Sequence, residues 1–469
     1  MNNKTSRRDF IAKSSLMAAG ASLGAGVFPA SGNVLGANEK IRVGFIGIGN
    51  RGSQLMTQGF MNYPNDCEVA ALCDIYEPYM TRNYSEVHPR YIADMRGQIP
   101  RMGEQFPRKP TLYKDWRKLL EDKTIDAVCI ATPDHWHALQ TIAAIQAGKD
   151  VYCEKPLTIT IFEGRKMVEA QAASKQIVAV GLNRRGNVIY QKMAKEIPAG
   201  KIGKVTFARS VRFNGMFPDG VGKMNPETPP ANFDWDAWLG PRAYRPYQYN
   251  IAPYKFRWFS DYSSQMGNWG VHYMDATRWM MGEKAPVAIT THGNKNTLTH
   301  DGDIPDTMQV TFEFASGAII AFSITETSSS PMMQRGEIEL RGTKGTLYVN
   351  ESLFQIVPNR PGQFQTWTNP MVEAEEMSRK DKMLEDGSSG DGTNVMIKNF
   401  LDCVKSRQTP FCPLEEGHRS TSFAHLANIA LVTKERLQWD PEKERFTNSA
   451  KANELLHYDY RSQWKMFGL

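Results

Sequence analysis

Ile41-Arg42-Val43-Gly44-Phe45-Ile46 is a short β-prone run, and Gly47-Ile48-Gly49-Asn50-Arg51-Gly52 follows without a break. Ser53 to Phe60 then reads as a helix. A G-x-G-x-x-G set between strand and helix leaves the chain few choices. Gly47 permits a tight turn, Gly49 lets backbone approach a pyrophosphate, and Gly52 lets the helix pack close on the strand. The phosphates would meet the helix N-terminus, where free N–H groups and the helix dipole favour an anion. The next β-prone run, Glu68 to Cys73, ends at Asp74, 22 residues after Gly52. A carboxylate about 20 residues on is the usual partner of the ribose hydroxyls. It would repel a 2′-phosphate, so the pattern predicts NAD, with NADP the lesser expectation.

The alternation of strand and helix continues. Ile125 to Ala131 is a buried-type strand, ending in Thr132-Pro133-Asp134-His135-Trp136-His137. The helix Ala138 to Ala147 stops at Gly148, and the strand Asp150 to Cys153 leads into Glu154-Lys155-Pro156. A helix over Ile161 to Ser174 precedes the strand Ile177 to Leu182 and Asn183. Ligands of open parallel sheets sit beyond the strand carboxyl ends. Asp74, Thr132, Pro133, His135, Trp136, His137, Glu154, Lys155 and Asn183 all fall there. Residues 38–183 are therefore expected to form a Rossmann domain.

Residues 184–437 read as a second domain of α+β type. Lys204 to Phe213 alternates Val205, Phe207, Val211 and Phe213 on one face. Thr307 to Phe314 with Ala318 to Glu326, and Glu337 to Leu340 with Thr346 to Val349, read as hairpins. The sheet here should be large and mostly antiparallel. Pro358 to Asp391 reads as a long loop. Helices are expected over Asn394 to Lys405 and Glu416 to Leu437, and 438–469 as a tail. Residues 233–262 hold 11 aromatic rings in 30 positions, against 10 % aromatics overall. Such rings can cover the flat C–H faces of sugars, or pack on one another.

The glycine motif, Ala131-Thr132-Pro133, Glu154-Lys155-Pro156 and Trp269-Gly270-Val271-His272 resemble the Gfo/Idh/MocA oxidoreductases, over roughly residues 40 to 435. The resemblance implies hydride transfer between NAD and a secondary hydroxyl of a sugar, polyol or glycoside. It puts Lys155 beside the nicotinamide and the reacting carbon. It implies a homodimer or homotetramer assembled through the second sheet. The family's second catalytic pair is Asp-x-x-x-His. His272 matches the histidine, but Asn268 stands where the aspartate is usual, and Asn can neither take a proton nor anchor an imidazolium as a carboxylate does. Asp261 or Asp275 would then be the substitute. Arg184, Arg257, Trp258, Tyr262 and His272 are the expected substrate contacts.

The first 37 residues read as an address. Ser6-Arg7-Arg8-Asp9-Phe10-Ile11 precedes a mild apolar stretch, Leu16 to Val27, which is too short to span a bilayer. Paired arginines in that setting resemble a twin-arginine signal, implying export to the periplasm of an already folded protein. A freely exchanging nicotinamide would be lost there, so the cofactor should be held tightly. The formal charge of +6 falls to +3 without this segment, and no basic stripe suggests nucleic acid. No metal site is expected, because His135 and His137 at i and i+2 share no helix face and lack a third ligand. Two other readings compete with a sugar oxidoreductase: an NAD-dependent glycosidase acting by transient oxidation and elimination, and a non-catalytic sugar-binding protein.

Overall fold

The computed structural model describes residues 39–330, 336–378 and 391–464. The expected export signal lies outside them. Two sheets organise the chain. The first has six parallel strands: β1 (Ile41–Ile46), β2 (Cys67–Cys73), β3 (Thr111–Tyr113), β4 (Ala127–Ile130), β5 (Asp150–Cys153) and β6 (Val178–Val180), in the order β3-β2-β1-β4-β5-β6. Every residue of β4, β5 and β6 is buried, as a sheet covered on both faces requires. The order reverses between β1 and β4, which opens a crevice at their carboxyl ends. Helices α1 (Asn50–Gln58), α2 (His137–Gln146) and α3 (Ile161–Ala172) connect the strands.

The second sheet begins with β7 (Val205–Gly215) and β8 (Ala288–Asn294). It continues through β9 (Thr307–Glu313), β10 (Ile319–Thr325), β11 (Thr327–Ser328), β12 (Ile338–Gly342), β13 (Gly345–Val349), β14 (Leu353–Pro358), β15 (Glu375–Ser378), β16 (Leu437–Asp440) and β17 (Arg445–Phe446). Its order is β15-β14-β13-β12-β7-β10-β9-β8-β16-β17, with β11 beside β7, and only β7 and β10 pair in parallel. Both expected hairpins are present. One face is apolar and packed: Ala208, Val310, Phe312, Ile320, Phe322 and Ile324 meet α4 (Val188–Glu196) and α5 (Val271–Met281). On the opposite face Phe207, Val211 and Ile319 are only partly covered.

Three expectations change. The stretch 358–391 was expected to be a loop, but β15 within it pairs with β14. The last long helix runs Leu414–Thr433 and stops at Lys434, whose φ of 59° is left-handed, so Leu437 belongs to a strand. Residues 438–464 are no loose tail: β16 and β17 extend the second sheet, and Tyr460 and Trp464 return to the core of the first domain. Helix α6 (Gly392–Ser406) also belongs to that first core, through Met396, Ile397, Phe400 and Leu401. The apolar periodicity shows that α6 has a buried face, but not which sheet the face meets.

The aromatic stretch builds a third cluster. Phe233, Trp235, Trp238, Tyr247, Tyr249, Phe256, Phe259 and Tyr262 pack with Tyr76, Tyr79, Tyr91 and Met95, which follow β2. Trp235 and Trp238 stack at 4.8 Å, and Tyr91 lies flat on Tyr249 at 5.3 Å. Most of these rings are therefore core, joining the second domain to the first.

Candidate active site

The glycine motif occupies the crevice end of β1. Gly47 has φ +81°, and a Cβ there would lie 2.7 Å from the Thr132 nitrogen. A Cβ at Gly52 would meet the Gly47 oxygen at 2.0 Å. Protein packing thus explains both. It does not explain Gly49, whose Cβ would touch only the Tyr79 ring, at 3.8 Å. The space at the start of α1 is a cradle that the chain leaves open, and it fits a dinucleotide pyrophosphate.

Side chains around the cradle are mutually fixed. Asp74 accepts from the Ile48 nitrogen at 2.7 Å and the Tyr76 nitrogen at 2.9 Å. It therefore anchors the glycine loop, and each oxygen keeps a lone pair for a ribose hydroxyl. Burial raises its pKa. Asn50 donates to the Gly97 carbonyl at 3.2 Å, Ser53 to the Arg101 carbonyl at 3.2 Å, and Arg82 to Ser53 at 2.7 Å. The segment after β2 is thereby tied across the first turn of α1, with the aromatic cluster behind it.

The strand ends carry the rest. Thr132 donates to Gln140 at 2.7 Å, beside Pro133. His137 bridges the Thr132 and Pro156 carbonyls at 2.9 and 2.8 Å. His135 and Trp136 both bond the Trp238 carbonyl, at 2.9 and 3.0 Å. Burial takes His135 down to about 3, so its ring is neutral. All three rings, expected to contact the cofactor, are buried and dock the aromatic insertion or the Lys155 turn. Among the described residues no cluster of three metal-ligating side chains exists. Asn183 differs, because its buried side-chain oxygen has no partner.

Glu154 is buried and pairs with Arg51 at 2.8 Å, joining β5 to the glycine motif. Lys155 donates to the carbonyl of Asn268 at 2.8 Å. That carbonyl lies in a π-turn, Met266–Gly270, just before α5, and Gly267 packs against Pro156. Asn268 thus serves through its backbone, while its side chain reaches only Gln265, at 3.5 Å. Neither expected substitute takes the aspartate's place: Asp275 is buried with Arg185 at 2.8 Å, and Asp261 pairs with Arg242. Burial, then the Arg257 and Arg51 charges, lower Lys155 to about 8 against the pull of Glu154 and Asp134. Burial and the cations Lys155, Arg184, Arg51 and Arg212 push His272 well down, leaving a neutral imidazole.

The expected substrate contacts divide. Tyr262 is fully buried between His135 and Trp238, so it cannot touch a substrate. Arg184 is buried and pairs with Glu337 at 2.6 Å and Glu351 at 3.4 Å. Arg257 and Trp258 are half-buried on the cleft side, and Trp258 donates to Glu326 at 3.0 Å. Three residues were missed: Arg212, Asn214 and Glu326. The signal was there. Along β7 the inward positions read Ala208, Ser210, Arg212, Asn214, and along β10 Ile320, Phe322, Ile324, Glu326. The apolar phase turns polar at one end of each, the end beside Trp269 and His272.

Comparisons with known proteins agree with this fold. Residues 41–182 match the oxidoreductase family's NAD-binding Rossmann fold, and 186–386 and 387–466 match its C-terminal alpha/beta domain. A myo-inositol 2-dehydrogenase of Thermotoga maritima is 24 % identical over 352 residues, 73 % of this chain and 88 % of that protein. A glycosyl hydrolase family 109 protein of Stenotrophomonas maltophilia is 34 % identical over 171 residues, 36 % of this chain and 33 % of that one. Among solved structures, levoglucosan dehydrogenase in complex with NADH and levoglucosan superposes with a TM-score of 0.60 at 18 % identity, covering 85 % of this chain and 99 % of that one. With both domains matched, the chain belongs to the Gfo/Idh/MocA family of NAD-dependent oxidoreductases.

Proposed function

We propose that this enzyme oxidises a secondary hydroxyl of a sugar, polyol or glycoside, using NAD that stays bound between turnovers. The observation that carries the reading is Lys155: a lysine at the crevice, brought to about 8 and held at 2.8 Å by a backbone carbonyl instead of a carboxylate. A lysine so poised gives up and regains a proton near neutral pH. As the free amine it takes the hydroxyl proton; as the ammonium it polarises the ketone in the reverse direction. His272, neutral, can accept from or donate to the same hydroxyl. NAD supplies the hydride acceptor. Gly47, Gly49, Asn50, Arg51, Gly52, Asp74, Thr132, Pro133 and Asn183 are the residues assigned to hold it, with Glu154 fixing Arg51.

Tight retention is supported by the segment tied over α1 and the aromatic cluster packed on it. It suits a periplasmic enzyme exported by the twin-arginine route, which is the reading given to residues 1–37. The partly covered outer face of the second sheet supports assembly of a homodimer or homotetramer there. The experiment is to purify the protein without added cofactor, denature it and identify what is released. About one NAD or NADH per chain supports the reading, and an apo protein that exchanges NAD freely overturns tight retention. Offering sugars and polyols while following reduction of the bound cofactor then tests the oxidation.

One observation favours a second reading. Glycoside cleavage by transient oxidation needs a further base to remove the acidified C–H proton before the aglycone leaves. Glu326 is a buried carboxyl raised by burial, at the polar end of the inner face. Release of an aglycone without net NADH would decide for that reading.

A further inference from the structure

The cleft is lined by more cations than its carboxylates pair. Arg51 is matched by Glu154, and Arg184 by Glu337 and Glu351. Lys155, Arg212 and Arg257 make no ion pair among the described residues. Arg212 lies over the Trp269 ring at 3.7 Å, and its buried Nε has no hydrogen-bond partner. Trp269 in turn is 6.5 Å from His272 between ring centroids. Arg257 stacks on Tyr254 at 4.3 Å and on Phe256 at 4.4 Å, and among the described residues its side chain donates only to the Tyr254 carbonyl, at 2.8 Å.

Two carboxyl groups lie within electrostatic reach of these cations, Glu326 of Arg212 and Asp134 of Arg257 and Lys155, but neither forms an ion pair with them. Glu326 is instead occupied by Trp258 at 3.0 Å and Asn214 at 3.3 Å; burial raises its pKa, while these bonds and the Arg212 charge pull it back. Asp134 accepts from Ser263; burial raises its pKa against the His137, Arg257 and Lys155 charges. Arginines that are stacked, half-buried and left without a carboxylate are preorganised to take one from a ligand, since the guanidinium fork matches a carboxylate in shape and charge. The Arg212 side chain belongs to the inner face of the second sheet, and Arg257 to the turn beside Trp258. The Glu326–Trp258 bond links the two.

We propose that the substrate is a sugar acid whose carboxylate is held between Arg212 and Arg257. The proposal rests on the sugar-oxidising reading of the same site and narrows it. The neutral His272 and the amine of Lys155 then face the hydroxyl to be oxidised, while the two arginines hold the carboxylate beside them. Neutral sugars would enter but leave both guanidinium groups unanswered, and a buried unpaired polar group penalises the wrong ligand.

The test titrates the purified holoenzyme, by calorimetry, with matched pairs of hexose and hexuronate of the same configuration: glucose and glucuronate, galactose and galacturonate, mannose and mannuronate. Reduction of the bound cofactor is followed alongside. The hexuronate of the best pair should bind about tenfold or more tightly than its hexose. That ratio should collapse toward one in Arg212→Gln and in Arg257→Gln, and survive in part in Arg212→Lys. Cofactor content equal to that of the parent shows that each variant has folded. Equal binding of hexose and hexuronate in every pair overturns the proposal, as does a ratio that persists in both glutamine variants. If hexoses reduce the cofactor as fast as hexuronates, the sugar-oxidising reading stands and the acid preference falls. If hexuronates bind selectively but nothing is oxidised, the anion site stands and the oxidising reading falls.

Discussion

The two ends of the cleft are built in opposite ways. At the cofactor end the chain has already satisfied its own polar groups: Asp74 holds the glycine loop, Glu154 holds Arg51, and Arg82 ties Ser53 to the covering segment. At the substrate end, polar groups are held in place but left unanswered: among the described residues Arg212 Nε and Glu326 Oε1 have no hydrogen-bond partner. The first arrangement is rigid before anything binds. The second leaves donors and acceptors for a ligand to complete, and buried unpaired groups discriminate strongly between ligands. Tight, unselective holding at one end and selective completion at the other is what a reusable bound cofactor and an exchanging substrate require.

Lys155 stands where the two ends meet, and its removal should separate them most sharply. Lys155→Met should lower turnover about a thousandfold while cofactor content stays unchanged, because the adenosine end is held elsewhere. Loss of cofactor along with activity would make Lys155 a structural residue.

Two glycines offer the next contrast. Gly52→Ala puts a Cβ 2.0 Å from the Gly47 oxygen, so the loop must shift; the protein should lose stability by about 1–3 kcal/mol and release its cofactor. Gly49→Ala meets no protein atom closer than 3.8 Å and has an ordinary φ of −65°. Stripped of cofactor it should melt like the stripped parent, yet as purified it should retain far less NAD. Equal retention in Gly49→Ala would mean that the cradle is not where the pyrophosphate lies.

The pH profile tests the lysine more finely. The free amine is the base, so single-turnover oxidation should rise with pH through about 8 and level above it. Between pH 7 and the plateau the gain should be about tenfold, from the fraction of amine present. Lys155→Arg, which cannot deprotonate in this range, should abolish the inflection. The smallest effect is expected at Asp74. Asp74→Asn keeps an acceptor for one backbone N–H but removes the charge, and should narrow the preference for NAD over NADP by a few-fold. An unchanged preference would mean that Asp74 serves only the loop.

Much of this was legible in sequence, for reasons tied to chain proximity. The glycine motif, Asp74 and the Glu154-Lys155 pair lie within or next to strands whose ends define the crevice, so position along the chain gives position in space. The orientations of His135, Trp136 and His137 were not legible, because strand-end placement does not reveal where a ring points: the first two bond the aromatic insertion about a hundred residues on, and His137 bridges the Thr132 and Pro156 carbonyls. The partner of Lys155 was hidden because a backbone carbonyl carries no signature in residue type, and the π-turn that exposes it has none either. Arg212 and Glu326 were visible as polar interruptions in an apolar phase, but only once the inward phase of β7 and β10 is known.

The return of the chain to its first core has a consequence for assembly. Tyr460 donates to Glu163 across 297 residues, Trp464 packs on Trp136 at 4.8 Å, and α6 supplies Met396 and Phe400 to the same interior. A domain read from residues 38–183 is therefore not one that can close as it leaves the ribosome. The nucleotide-binding half must wait, with part of its interior bare, until the second sheet has been synthesised and the chain has doubled back. Order of synthesis and order of completion run in opposite directions, and the two halves mature as a single cooperative body.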